Sequence, residues 1–184
     1  MTNPKPTPKL SKTDWIDLAL AAELTPDGRL SSSACAAWSV VRAAACQYRL
    51  RAQLVLIGPT APESAAKLTR LGADRLFIYE PKETFSAADA LRAFCEDYKP
   101  ALLAFPNELR TEAETVAAMM EIELVSEWEG GIELDRAKDL RRDAGKLERV
   151  AAFRPQLVVF AAGQQTIPLP AEEKAIQEIF FCFP

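Results

Sequence analysis

Apolar positions along this chain gather into short unbroken runs separated by alanine-rich stretches of helical pattern. AQLVLIG (52–58), DRLFIYE (74–80) and ALLAF (101–105) have strand length and almost no polar interruption. That is the pattern of strands covered on both faces in a parallel sheet. Between and around them lie SSSACAAWSVVRAAACQYR (31–49), PESAAKLTRLG (62–72), SAADALRAFCEDYK (86–99) and TEAETVAAMM (111–120). The first opens on serines suited to an N-cap, and the second carries Pro62 in its first turn and Gly72 at its end. Ahead of them, DWIDLALAAEL (14–24) is an apolar run closed by the turn residues Pro26, Asp27 and Gly28.

Strand and helix alternating at this spacing predict right-handed crossovers and a parallel sheet with helices on both faces. After Ile122 the rhythm changes. ELVSEWEGGIEL (123–134) places a Gly-Gly turn between strand-like pieces, and LERVAAFRPQLVVFA (147–161) reads as two close strands about the Arg154-Pro155 corner. KAIQEIFFCF (174–183) ends in aromatics that favour a last strand. The expected fold is therefore α/β, a three-layer α/β/α Rossmann-like wound sheet, mostly parallel and finished by antiparallel strands. Residues 1–13, polar and basic with three prolines, read as a mobile tail, and 14–184 as a single domain. The stretch DRAKDLRRDAGK (135–146) reads as an exposed connection. Ala36, Val40, Ala44, Val55, Ile57, Leu76, Ile78, Leu102, Ala104, Leu157 and Val159 are the expected core.

Composition narrows the chemistry. Net charge is −4, which gives no basic field for nucleic acid. No run approaches the ~20 apolar residues that span a bilayer, and no apolar segment follows the tail as a signal peptide requires. The expectation is a cytoplasmic protein that engages neither membrane nor nucleic acid. The sequence contains no histidine, which removes the Ser-His-Asp triad, the Cys-His dyad and most zinc-hydrolase sites. Cys35, Cys46, Cys95 and Cys182 lie far apart with no C-x-x-C pair, so they read as thiols of the interior and not as metal ligands. No catalytic residue and no metal site is expected. The phosphate-binding loops G-x-G-x-x-G and G-x-x-x-x-G-K-[ST] are absent, and seven glycines leave few places for backbone to approach a pyrophosphate.

Residues 71–134 carry a resemblance to a known family. Leu71-Gly72-Ala73-Asp74 leads into a strand; a helix and a Pro-introduced strand follow. Val116-Ala117-Ala118 and Val125-Ser126-Glu127 then fall where the amino-terminal domain of the electron transfer flavoprotein α subunit has its Val-Ala-Ala helix and Thr-Asp or Ser-Asp strand end. Ala144-Gly145 and RPQLVVFAAG (154–163) extend the resemblance over roughly residues 14 to 183. Arg110 takes the place of the basic residue in that family's Gly-Ala-Thr-Ser-x-Gly-Arg-Asp loop. The departures are specific: the loop reads Phe105-Pro106-Asn107-Glu108-Leu109-Arg110 without glycine, Asp143 and Lys146 replace a tyrosine and an asparagine, and Ala161 replaces an arginine. The family's carboxy-terminal FAD-binding domain has no counterpart in this sequence.

The resemblance implies a stand-alone, non-enzymatic module working in flavin-dependent electron transfer by docking or assembly. Its partner would be a β-subunit-like chain or a separate flavin-binding polypeptide. This chain would hold no cofactor tightly by itself, FAD or AMP being bound, if at all, with a partner. A homodimer is expected in isolation, with Phe180, Phe181 and Phe183 as its apolar candidates. The alternative is a small AMP-type nucleotide-binding module without a redox role; an enzyme acting on an adenylated substrate is a weaker third. For nucleotide or partner binding the candidates are Asn107, Arg110 and Thr111. Arg110 also reads as a solvated arginine paired with Glu108 or Glu114, and Asn107 and Thr111 as turn and N-cap residues. Trp15, Trp38 and Trp128 read as ring-stacking platforms or as core anchors. The acidic belt of Glu112, Glu114, Glu121, Glu123, Glu127 and Glu129 reads as a docking face for a basic partner or as solvated surface.

Overall fold

A computed structural model describes residues 17–60, 64, 68, 71–132, 155–166 and 178–182. In chain order its elements are β1 (Asp17–Ala22), α1 (Ser32–Tyr48), β2 (Arg51–Ile57), β3 (Arg75–Tyr79), α2 (Ala87–Tyr98) and β4 (Leu102–Phe105). A 3-10 turn (Asn107–Leu109) then leads directly into α3 (Arg110–Met120), followed by β5 (Leu124–Trp128), β6 (Gln156–Phe160) and β7 (Glu178–Cys182). The expected tail, residues 62–70 of the expected helix apart from Ser64 and Leu68, the connection 135–146 and the strand before Pro155 lie outside the described residues, as do Trp15 and Phe183.

The seven strands form one sheet in the order β5-β6-β4-β1-β2-β3-β7. Every pair in it is parallel. Alternation along each strand divides the core in two. Leu54, Leu56, Leu76 and Ile78 face the layer that holds α1 and Trp38. Val55, Ile57, Phe77 and Val159 face the layer built by α2 and α3. The sheet is thus covered on both sides, and all eleven expected core residues are buried.

The wound α/β architecture agrees with the sequence reading, whereas the antiparallel finish does not. β6 enters between β4 and β5 and runs parallel to both, and β7 runs parallel to β3. The physical reason is visible in β6 itself: Leu157, Val158, Val159 and Phe160 are all buried, as suits a strand inserted into the sheet with both faces covered. Such a run reads the same whether the strand enters parallel or antiparallel, so the apolar pattern does not fix its direction.

Local chemistry sets the helix ends. Ser31 caps α1 by accepting the Ala34 N–H at 3.0 Å. Ser86 and Asp89 cap α2 reciprocally, each side chain accepting the other's backbone N–H. Arg49, Lys99 and Glu121 close α1, α2 and α3 in the left-handed conformation.

Candidate functional site

A wound parallel sheet presents ligands outside the carboxyl ends of its strands, at the point where the winding reverses. Here β1, β2 and β3 step one way and β4 returns to the other side of β1, so the crevice lies over the ends of β1 and β4. The segments converging there are Glu23 after β1, the Ser31–Ser33 start of α1, and the turn Asn107–Leu109 after β4. An open cleft of about 410 Å³ extends from it over the end of β2, lined by Glu23, Thr25, Gly28, Gly58 and Ser64 among others.

The turn after β1 is tied to itself. Thr25 Oγ1 donates to Asp27 Oδ1 at 2.5 Å and the Gly28 N–H donates to the Thr25 carbonyl at 2.8 Å. Gly28 has φ +76°, and a Cβ there would collide with Ser64 Oγ, so both backbone and space call for glycine.

The three predicted binding residues meet different fates. Arg110 Nη2 donates to Asn107 Oδ1 at 3.0 Å and forms an ion pair with Glu127. The ion-pair reading of Arg110 is therefore right in kind, with Glu127 as partner instead of Glu108 or Glu114. Glu127 sits at φ +56° where the β5–β6 register shifts. Its pair with Arg110 ties the edge strand to the start of α3. Asn107 is the turn residue expected of it. Thr111 is not an N-cap: the 3-10 turn runs straight into α3, so Thr111 falls one residue inside the helix, where its carbonyl accepts Thr115 Oγ1 at 2.8 Å.

Glu108 occupies a position suited to an anion. Its carboxylate accepts hydrogen bonds from Ser31 Oγ and Ser33 Oγ at the amino end of α1, where the helix dipole favours negative charge. Glu23 stands in the same neighbourhood, and its carboxyl is pushed up from the ordinary value by partial burial and then by the charges of Glu112 and Glu108. The crevice is acidic, and the amino end of α1 within it faces the chain's own carboxylate.

Trp38 is 2% exposed and donates Nε1–H to the Leu71 carbonyl at 2.8 Å. Trp128 packs on the α1-side core and donates to the Gly131 carbonyl at 3.2 Å. Both are anchors of the fold. The sequence offers Glu108 only as a partner for Arg110 and does not single out Glu23. The available signal was a glutamate standing in the strand-to-helix loop beside the candidate Arg110. Among the described residues no group of three or more His, Cys, Asp or Glu side chains is placed to hold a metal ion, and no helix is long and apolar enough to cross a membrane.

These features define an α/β protein with a Rossmann-like, all-parallel wound sheet among its described strands. No family model and no curated protein matches the chain. Among solved structures it is similar to a protein from the universal stress protein family from Burkholderia pseudomallei. The two share 16% identity at a TM-score of 0.39, over 56% of this chain and 90% of that one. A likeness this distant carries no weight for function.

Proposed function

We propose that this chain is a protein-docking module of the electron transfer flavoprotein α-subunit type. It serves flavin-dependent electron transfer by binding a β-subunit-like or flavin-carrying partner in the cytoplasm, and it catalyses no reaction itself. The supporting observation is the engagement of Arg110. The cation that the crevice could offer to a nucleotide phosphate is held by Glu127 and Asn107, and the carboxylates around it repel a second anion. What remains for recognition is protein surface: the exposed flank of α3 and β5, where Glu114, Met119, Glu123 and Glu129 are all exposed. An acidic rim steers a basic partner and speeds encounter more than it adds affinity.

The test combines spectroscopy with association. The purified chain is expected to be colourless, to give no heat with AMP, and to form a complex with a β-subunit-like chain on gel filtration. Flavin absorbance retained in stoichiometric amount would overturn the docking reading. Saturable AMP binding without complex formation would replace it with the nucleotide-binding alternative.

A further inference from the structure

Arg42, in the middle of α1, is only 5% exposed. One helical turn earlier, Trp38 donates its indole N–H to the Leu71 carbonyl at 2.8 Å, and the Arg42 guanidinium lies against the next residue, Gly72. A Cβ on Gly72 would stand 2.8 Å from Nη2 and 3.1 Å from Nε, so the group packs directly on backbone. Arg29, Arg51, Arg75 and Arg110 each hold a carboxylate. Arg42 holds none among the described residues, and its Nε is sealed from solvent without an acceptor. Asp74, two positions past Gly72, directs its carboxylate to the Ala52 N–H at 2.8 Å. A guanidinium keeps its charge in the interior. A buried cation without a counter-ion is among the costliest arrangements a fold can hold. Its planar fork of donors matches an oxyanion, met on the Nη edge, the side that is not sealed.

We propose that Arg42 anchors a second site, in which a small oxyanion, a carboxylate or inorganic phosphate, pairs with its guanidinium where α1 meets Gly72. Gly72 lies three positions ahead of β3, so the site is towards the amino ends of the strands, away from the crevice at their carboxyl ends. It is also on the α1 face of the sheet, whereas α3 packs on the other. The little of Arg42 that solvent reaches suits one small anion and leaves no room for a nucleotide to lie along it. The site therefore stands whether or not the chain docks a flavoprotein partner.

The experiment follows urea unfolding of the intact chain and its Arg42→Met variant as sodium acetate or sodium phosphate replaces sodium chloride at constant ionic strength, which holds screening fixed. An anion that binds only the folded chain lowers its unfolding constant, by about tenfold for each tenfold rise in concentration once the site is filled. The wild type is expected to show that dependence, and the anion that saturates at the lower concentration names the ligand class. Arg42→Met keeps the aliphatic bulk without the charge. It should be the more stable protein in chloride and should lose the dependence, retaining only the general stabilisation that excluded salts such as phosphate give any protein. In parallel, the Arg42 Nε–H resonance of the wild type should shift saturably with the same anion. A dependence of equal size in both proteins would overturn the proposal, because Arg42 would then not be the receptor. So would a wild type whose unfolding constant and Nε–H resonance ignore both anions, because the cation would then be satisfied within the chain. If Arg42→Met does not fold, the wild-type resonance decides alone, a saturable shift upholding the site and a fixed resonance removing it. Neither outcome bears on complex formation with a β-subunit-like chain, which is read separately.

Discussion

Arg51 forks onto Asp17 across the first two strands, Nε standing 2.5 Å from Oδ1 and Nη2 2.8 Å from Oδ2. The two residues are also backbone neighbours in the β1–β2 register, so the fork fixes where the central strands begin. Gln53 Nε2 adds a third donor to Asp17 at 2.7 Å. The side chains are only 5% and 13% exposed. Removing one partner of a buried pair leaves the other's charge stranded, which costs more than the pair contributes. Arg51→Met is therefore expected to lower unfolding free energy by about 3–5 kcal/mol in urea titrations. Asp17→Leu combined with Arg51→Met should recover much of that. A single-variant loss under about 1 kcal/mol, the scale of an exposed pair, would show that the fork is not a closed ion pair.

Ile57 and Ile78 report on opposite faces of the sheet, the first packing with α2 and α3 and the second with α1. Each is nearly inaccessible to solvent. Truncation to alanine removes three methylene-scale groups and leaves a cavity in a rigid layer, so each variant should lose about 2–5 kcal/mol. Chemical denaturation of the two variants separates the layers. A large loss at one site with almost none at the other would mean that one helical layer yields to fill the space.

Much of this was legible in the sequence because burial on both faces writes a continuous apolar run. β2, β3 and β4 carry that signature, and so does LVVF of β6. What the run does not encode is direction. A strand buried on both faces can be inserted parallel or antiparallel, and the short spacing around Arg154-Pro155 suggested a hairpin where β6 in fact enters parallel to β4 and β5. The site was harder to read for a related reason. The partner of Arg110 is Glu127 and the partners of Glu108 are Ser31 and Ser33, contacts spanning 17, 77 and 75 positions. Local spacing had offered neighbours within a helical turn. The choice among candidate carboxylates is made by strand order, which no local pattern contains.

The cysteines should separate by reactivity. Burial pushes the Cys95 thiol up to about 12, whereas Cys46 is exposed. The thiolate is the reactive form, so a thiol reagent at pH 8 should modify Cys46 quickly and Cys95 only on unfolding. Linkage gives a second reading. Because the folded thiol ionises later than the unfolded one, the stability from keeping Cys95 protonated is fully present below pH 9.0 and is lost as pH rises towards 12. Rapid labelling of Cys95 in the folded chain would contradict its placement against Phe94 and Leu91.

Glu23 follows the same sign in the acid range. Its raised carboxyl pKa, caused by partial burial and then by Glu112 and Glu108, means the folded chain holds that proton more firmly than the unfolded chain. Its contribution to stability is present below the ordinary value of 4.5 and is lost as pH rises through the folded value. Glu23→Gln should therefore stabilise the chain at pH 7 by about 0.2–1 kcal/mol, a figure kept small by solvent screening, and leave it unchanged at pH 4. Thermal midpoints at the two pH values provide the measurement. Equal gains at both would remove the electrostatic cause.

Self-association depends on what covers β7. One of its faces is covered within the chain: Phe180 stacks on Phe77 with ring centroids 5.0 Å apart and an 11° tilt, and Tyr98 of α2 lies beside it. Arg75 sits 5.9 Å from the same ring and holds Glu178 at 2.7 Å, which clamps the start of the strand to β3. Phe180 is partly buried against the α2-side core, and the side chains of Phe181 and Phe183 lie outside the described residues. The opposite face presents Ile179 at 40% exposure, and beyond β7 no further strand pairs among the described residues. An unpaired edge with an apolar side chain invites another chain. In the absence of its partner the protein is expected to sediment as a homodimer at micromolar concentration, and Ile179→Lys should return it to a monomer with an unchanged unfolding midpoint. A chain that stays monomeric as concentration rises would remove β7 as the association edge. A dimer that survives Ile179→Lys would move the contact elsewhere, and the exposed α3–β5 flank about Met119 would be the next surface to substitute.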